Sequence, residues 1–102
     1  MKLVAVTACA AGVAHTYMAA EGIEKAAKEK GHEIKVETQG TIGIENRIEE
    51  DDLKGVSAVI LTSDIPIRGR ERFNGFKIFN VSSTACIVNA PKIIEAIEER
   101  CK

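Results

Sequence analysis

The sequence predicts an α/β fold. Three observations carry that reading: a short apolar run at residues 2–8, an amphipathic helical segment directly after it, and repetition of strand-like and helix-like patterns along the 102-residue chain. Alternation of this kind implies parallel strands joined by right-handed helical crossovers. A chain of this length is expected to form one domain over residues 1–102, with a core that needs no disulfide or metal to hold it.

Residues 2–8 contain Leu3-Val4-Ala5-Val6, apolar on both faces, and read as the central strand of a parallel sheet. Over residues 14–30, Met18, Ala19, Gly22, Ile23, Ala26 and Ala27 fall on one helical face, and Glu21, Glu24, Lys25, Lys28 and Glu29 on the other. Glu21 with Lys25 and Glu24 with Lys28 are i,i+4 pairs in the favourable order, each adding about 0.2–0.5 kcal/mol. Gly31 supplies the stop. Residues 34–38 alternate apolar and polar, which predicts a second strand at the sheet edge. Residues 40–46 have turn chemistry, and residues 45–53 predict a short helix with an acidic N-terminal half.

Residues 56–61 are continuously apolar and predict the third strand. Pro66, Gly69 and the arginines at 68, 70 and 72 allow at most a short surface helix within residues 65–74. Residues 77–81 predict the fourth strand, and residues 82–88 a helical turn or two capped by Ser82 or Ser83. Pro91 opens a final helix whose Ile93, Ile94 and Ile97 face inward. The order β-α-β-(α)-β-(α)-β-α gives a four-stranded parallel sheet flanked by helices in three layers, Rossmann-like or flavodoxin-like.

Fourteen Lys and Arg against 15 Asp and Glu leave a formal charge of −1, well mixed along the chain. That balance argues against nucleic-acid binding and against attraction to an anionic membrane. No apolar stretch is long enough to insert in a bilayer, and Met1-Lys2-Leu3 runs directly into the first predicted strand without a signal-peptide core. The expected compartment is the cytoplasm. Cys9, Cys86 and Cys101 show no metal-ligand spacing and no C-x-x-C pair, so free thiols are expected and no metal or cofactor.

The chemistry concentrates in Cys9-Ala10-Ala11-Gly12-Val13-Ala14-His15-Thr16, where a buried strand turns into a helix. A thiol there meets backbone N–H groups and the positive end of the helix dipole, which stabilise a thiolate and a phosphate attached to it. Ala10, Ala11, Val13 and Ala14 add no competing polar groups, and Gly12 permits positive φ or close approach. Thr16 can add a hydroxyl donor, and His15 a ring N–H or a loop contact. In a parallel sheet, ligands bind beyond the carboxyl ends of the strands. That edge also receives Thr38 and Gln39, Asp64 with Ser63, and Ser82 with Ser83, so Thr38, Gln39 and Asp64 are candidate rim residues. The arginine run is either a solvated loop face or a guide for an acidic, phosphorylated partner.

Cys9 to Ala20, C-A-A-G-V-A-H-T-Y-M-A-A, together with Glu21, Val36-Glu37-Thr38-Gln39-Gly40 and Arg72-Phe73, resembles the IIB component of the fructose family of the phosphoenolpyruvate-dependent sugar phosphotransferase system (PTS). The resemblance covers essentially the whole chain. It implies a phosphotransferase whose Cys9 accepts a phosphoryl group from phosphohistidine on a IIA partner. The phosphocysteine then passes it to a sugar at a membrane IIC partner, through which the protein reaches the inner face of the membrane. Fructose is the implied sugar, with mannose or another fructose-like substrate as alternatives, since selectivity should reside mainly in IIC. The family's usual loop has Pro-Thr where Ala10-Ala11 stand here. This removes a hydroxyl donor at position 11 and the rigidity of proline at position 10, and restores an N–H to the cradle.

Two other functions use the same loop. A low-molecular-weight cysteine-dependent phosphatase would hydrolyse the phosphoenzyme with Asp64 as general acid. Its phosphate loop needs an arginine to clamp the phosphoryl oxygens, and Cys9 to Thr16 contains none. A non-catalytic anion sensor would need no nucleophile at position 9.

Overall fold

The computed structural model describes residues 1–8, 13–40, 43–62 and 65–101. β1 (Lys2–Ala8) is apolar on both faces and lies at the centre of the sheet, as the sequence predicts. α1 (Val13–Glu29) returns the chain to β2 (Glu33–Gly40), which pairs with β1 in parallel from Lys2↔Glu33 to Ala8↔Gln39. β4 (Ala58–Thr62) pairs with the other side of β1, and β5 (Ile78–Val81) with β4, both in parallel.

The sheet has five strands, not four, in the order β3-β2-β1-β4-β5. β3 (Gly43–Glu45) is antiparallel and pairs across Thr38↔Glu45, Gln39↔Ile44 and Gly40↔Gly43. Three residues are too few for alternation to show, so this segment reads as a turn in the sequence, and the φ of 109° at Gly43 is turn chemistry. β2 is therefore not the edge over its second half. The helix expected over 45–53 shrinks to a 3-10 turn at Glu50–Leu53. Glu45 is taken by β3, and Asn46 turns left-handed at φ 57° with its amide donating to the Val36 carbonyl at 3.0 Å. A second 3-10 turn spans Arg70–Phe73.

α2 (Ser83–Val88) is capped by Ser82, whose hydroxyl oxygen accepts from the Ala85 N–H at 3.0 Å. α3 (Ala90–Arg100) follows with Pro91 in its first turn, burying Ile94 and Ile97 fully and Ile93 in part.

Alternation along the strands sorts the core onto two faces. Leu3, Ala5, Val36, Ala58 and Ile60 meet Ala19, Ile23 and Ala27 of α1 and Ile94 and Ile97 of α3. Val4, Val6, Val59 and Leu61 point the other way, toward Ile48, Leu53 and Phe73. The α-helices thus cover one face, while the third layer consists of the two 3-10 turns and their flanking chain. Met18, read as inward-facing, is 52% exposed and lies on the flank of the buried α1 stripe. Among the described residues no helix is long and apolar enough to cross a membrane.

α1 and α2 approach so closely at Gly22 that a Cβ built there would run into the Cys86 carbonyl oxygen. Gly22→Ala gains about 1 kcal/mol of helix propensity but forces backbone against backbone, at about 1–3 kcal/mol. The expected result is a net loss of stability, read as a lower urea midpoint with unchanged m. A midpoint equal to or above that of the parent would show that α2 can move away freely.

Candidate functional site

The carboxyl edge of the sheet gathers the ends of β1, β2, β4 and β5 and the start of α1. Ala8, the last residue of β1, is held from both sides. Its Cα partner is Gln39 in β2. On the β4 side the Ala8 N–H donates to the Thr62 hydroxyl oxygen at 2.9 Å, and that hydroxyl donates back to the Ala8 carbonyl at 3.0 Å. One threonine side chain thereby satisfies both main-chain groups of the residue preceding Cys9. The start of α1 is tied to the same strand, because the buried Thr7 hydroxyl donates to the Thr16 carbonyl at 3.2 Å.

Cys9, Ala10, Ala11, Gly12, Ser63 and Asp64 lie outside the described residues. Val13 opens α1, Ala14 is exposed, His15 is half-buried and Thr16 is buried. Thr38 and Gln39 are buried at the end of β2. Gly40, Gly43 and Glu45 form a narrow crevice with Thr16, Tyr17 and Thr38, across which the Tyr17 hydroxyl donates to the Glu45 carboxylate. The Gln39 amide is occupied within the protein. Its Nε2 donates to Glu37 Oε2 at 2.7 Å and to the Arg68 carbonyl at 2.9 Å, while its Oε1 accepts from the Arg68 N–H at 2.8 Å.

Beneath the edge lies a polar cluster whose pairing the sequence reading missed. Glu37 is wholly buried, on the face of β2 opposite the helices and in register with Val6. Arg72, whose turn the sequence marks as surface, reaches it as a two-pronged fork, with its terminal nitrogens 2.8 and 3.0 Å from the two carboxylate oxygens. The remaining guanidinium hydrogens donate to the carbonyls of Ile48 at 2.8 Å, Arg68 at 3.1 Å and Gly69 at 2.7 Å, so all five donors are engaged. The Ile48 N–H closes the cluster on Glu37 Oε1 at 2.8 Å. Gly69 is required here twice: its φ is 74°, and an added Cβ would strike the guanidinium. A charged residue in the middle of a strand, with an arginine run elsewhere, was the available signal.

Burial pushes the Glu37 carboxyl up, but the Arg72 guanidinium, the Gln39 amide and the Ile48 N–H outweigh it and hold the group below its ordinary value of 4.5. The stability from this carboxylate is therefore complete above its unfolded value and is lost as the pH falls through the lowered folded value. Asp52, bonded to Lys35 and to the Glu49 N–H, is lowered in the same sense. The urea midpoint should decline from about pH 5 downward, and Glu37→Gln should flatten that decline. An acid limb of equal slope in the variant would mean that Glu37 does not contribute.

A family model described as "PTS system, Lactose/Cellobiose specific IIB subunit" matches residues 4–96. The chain belongs to the PTS IIB family. It is 53% identical over 97 residues to the "PTS system fructose-like EIIB component 2" of Escherichia coli strain K12, covering 95% of this chain and 92% of the relative. A "PTS system fructose-specific EIIB'BC component" of Vibrio cholerae serotype O1 is 46% identical over 82 residues, which are 80% of this chain and 14% of that longer protein. Among solved structures, the crystal structure of a domain from the fructose-specific IIABC component of Borrelia burgdorferi superposes with a TM-score of 0.88 at 49% identity, covering 96% of this chain and 93% of that one.

As a IIB component the protein is a phosphocarrier and phosphotransferase of a sugar PTS, whose membrane partner is a IIC component. Hydrolysis is not favoured. The Arg72 guanidinium is fully occupied by Glu37 and by main-chain carbonyls below the edge.

Proposed function

We propose that Cys9 carries the phosphoryl group, accepting it from a phosphohistidine on a IIA partner and delivering it to fructose or a fructose-like sugar at IIC on the cytoplasmic face. Residues 1–102 act as one IIB-type domain in this scheme. The observation that supports it is the fixing of Ala8, the residue immediately before Cys9, by Gln39 pairing and by the Thr62 hydroxyl, with Thr7 beside it bonded to Thr16 of α1. In the first step the P–N bond breaks, its electron pair returns to the imidazole, and the thiolate forms a P–S bond. In the second the P–S bond breaks to regenerate the thiolate, while a sugar oxygen forms the P–O bond and its proton passes to water. Both steps rest on positioning and charge stabilisation of the equatorial oxygens. The backbone N–H groups at the start of α1 and its dipole suit that task. Ala14, His15 and Thr16 would border the cradle, and the fructose-like names of the relatives support the sugar.

The test is incubation with phosphoenolpyruvate, the general PTS proteins and a matching IIA, followed by peptide mass spectrometry. One phosphoryl group on the peptide containing Cys9 is expected, and its transfer on addition of IIC membranes and fructose. Phosphate on a histidine, or none with several IIA proteins, would overturn the reading.

A further inference from the structure

Beyond the carboxyl end of β4, residues 65–70 form a segment held by its backbone. The Arg68 N–H donates to Gln39 Oε1 at 2.8 Å, and its carbonyl accepts from Gln39 Nε2 at 2.9 Å and from Arg72 at 3.1 Å. The Gly69 carbonyl accepts from Arg72 Nε at 2.7 Å, and the wholly buried Phe73 pins the turn that follows. Exposure alternates along the segment: Ile67 packs on the core, while Pro66, Arg68 and Arg70 are exposed. None of these bonds uses the side chain of Arg68 or Arg70. Among the described residues neither guanidinium has an ion pair, whereas Arg72 is paired with Glu37 and Arg47 with Glu49. Glu71 is the one acid between residues 65 and 74, so an excess of positive charge remains there on a chain whose formal charge is −1.

The place of this charge follows from register and size. Gln39 is the Cα partner of Ala8, so residue 68 hangs from the carboxyl edge of the sheet. A specific interface covers about 800 Å² on each partner, a disc about 30 Å across. The described residues measure only 36 × 29 × 18 Å. A protein that docks on the carboxyl edge therefore covers the Arg68–Arg70 segment, whatever direction the two side chains take. Of the two partners in the proposed scheme, the donor brings the phosphoryl group and its negative charge. The acceptor brings a neutral sugar. Positive charge at this edge favours the loaded donor, and the attraction weakens once the group has left it.

We infer that Arg68 and Arg70 form a docking surface for an acidic face of the phosphorylated donor protein, speeding its association without entering the transfer step. This rests on the proposed phosphohistidine donor. The fixed main chain lowers the ordering cost of docking, and exposed charges of this kind act over about 10 Å at 0.1 M salt.

The experiment is single-turnover transfer from phospho-IIA by rapid quench, over a range of donor concentrations and at low and high salt. Arg68→Glu combined with Arg70→Glu should raise the half-saturating donor concentration roughly 10- to 100-fold at low salt and leave the saturating rate constant unchanged. The difference from the parent should shrink as salt is raised. Arg68→Lys combined with Arg70→Lys should stay near the parent, because charge alone does the steering. Lys28→Glu, in the last turn of α1 and so at the opposite edge of the sheet, should change neither constant. An unchanged half-saturating concentration in the double reversal overturns the inference, as does a comparable effect from Lys28→Glu. A defect confined to the later step, from the phosphorylated protein to IIC membranes and sugar, assigns the surface to IIC and overturns it too. A parent protein that takes no phosphate from any IIA overturns the donor reading, and this surface with it.

Discussion

Cys9→Ser and Cys9→Ala are each expected to reduce sugar phosphorylation by at least roughly 10³-fold while leaving the fold unchanged. A thiolate near neutral pH is a strong nucleophile, and helix N-termini favour it further. A serine hydroxyl stays protonated there and would form a phosphate ester too stable to pass the group on. Neither remaining thiol can substitute. Cys86 is buried in α2, and Cys101 lies beyond α3 with its sulfur 3.9 Å from the Ser57 carbonyl that precedes β4. The measurement is sugar-phosphate formation from phosphoenolpyruvate in a system reconstituted with IIA and IIC membranes, alongside circular dichroism and the thermal midpoint. Residual activity within tenfold of the parent would mean that the phosphoryl group travels through another residue. A collapsed thermal midpoint would instead give position 9 a structural role.

What the sequence made legible follows from where the physics is local. β1, α1 and α3 carry strong periodicity, and Ser82, Pro91 and Gly31 mark boundaries through their own backbone chemistry, so these features emerged close to their final places. β3 did not, because three residues hold no period and its pairing depends on the chain reversing after Gly40. Placing Thr38 and Gln39 at the carboxyl edge needed only the parallel-sheet rule. The role of Gln39 needed more: its amide is consumed by Arg68 and Glu37, partners that lie 29 residues away and two residues away in the chain. The arginine run shows the same limit. Arg68, Arg70 and Arg72 are alike in sequence, yet one is anchored by its backbone, one takes no part in that anchoring, and one is drawn inward by the buried acid.

That inward-drawn arginine carries the largest expected effect on stability. Arg72→Met should destabilise the protein by about 3–5 kcal/mol, because it leaves the buried Glu37 carboxylate without its counter-charge. For a small domain whose total stability is about 5–15 kcal/mol, this is a large fraction. Unpaired, Glu37 keeps the burial that raises its pKa and loses the fork that lowers it, so it should take up a proton on folding. The deficit of Arg72→Met should therefore shrink as the pH is lowered, opposite to the acid sensitivity of the parent. Glu37→Gln combined with Arg72→Met should recover part of the loss. Recovery stays incomplete because the carbonyls of Ile48, Arg68 and Gly69 also lose their donor. Urea denaturation of the four proteins across pH gives the coupling directly by a double-mutant cycle. A coupling near zero, or a single-variant loss below about 1 kcal/mol, would place the ion pair among surface pairs of little weight. It would also remove the physical basis for Arg68 being held in place, since the same guanidinium bonds its carbonyl and braces the carboxylate that braces Gln39.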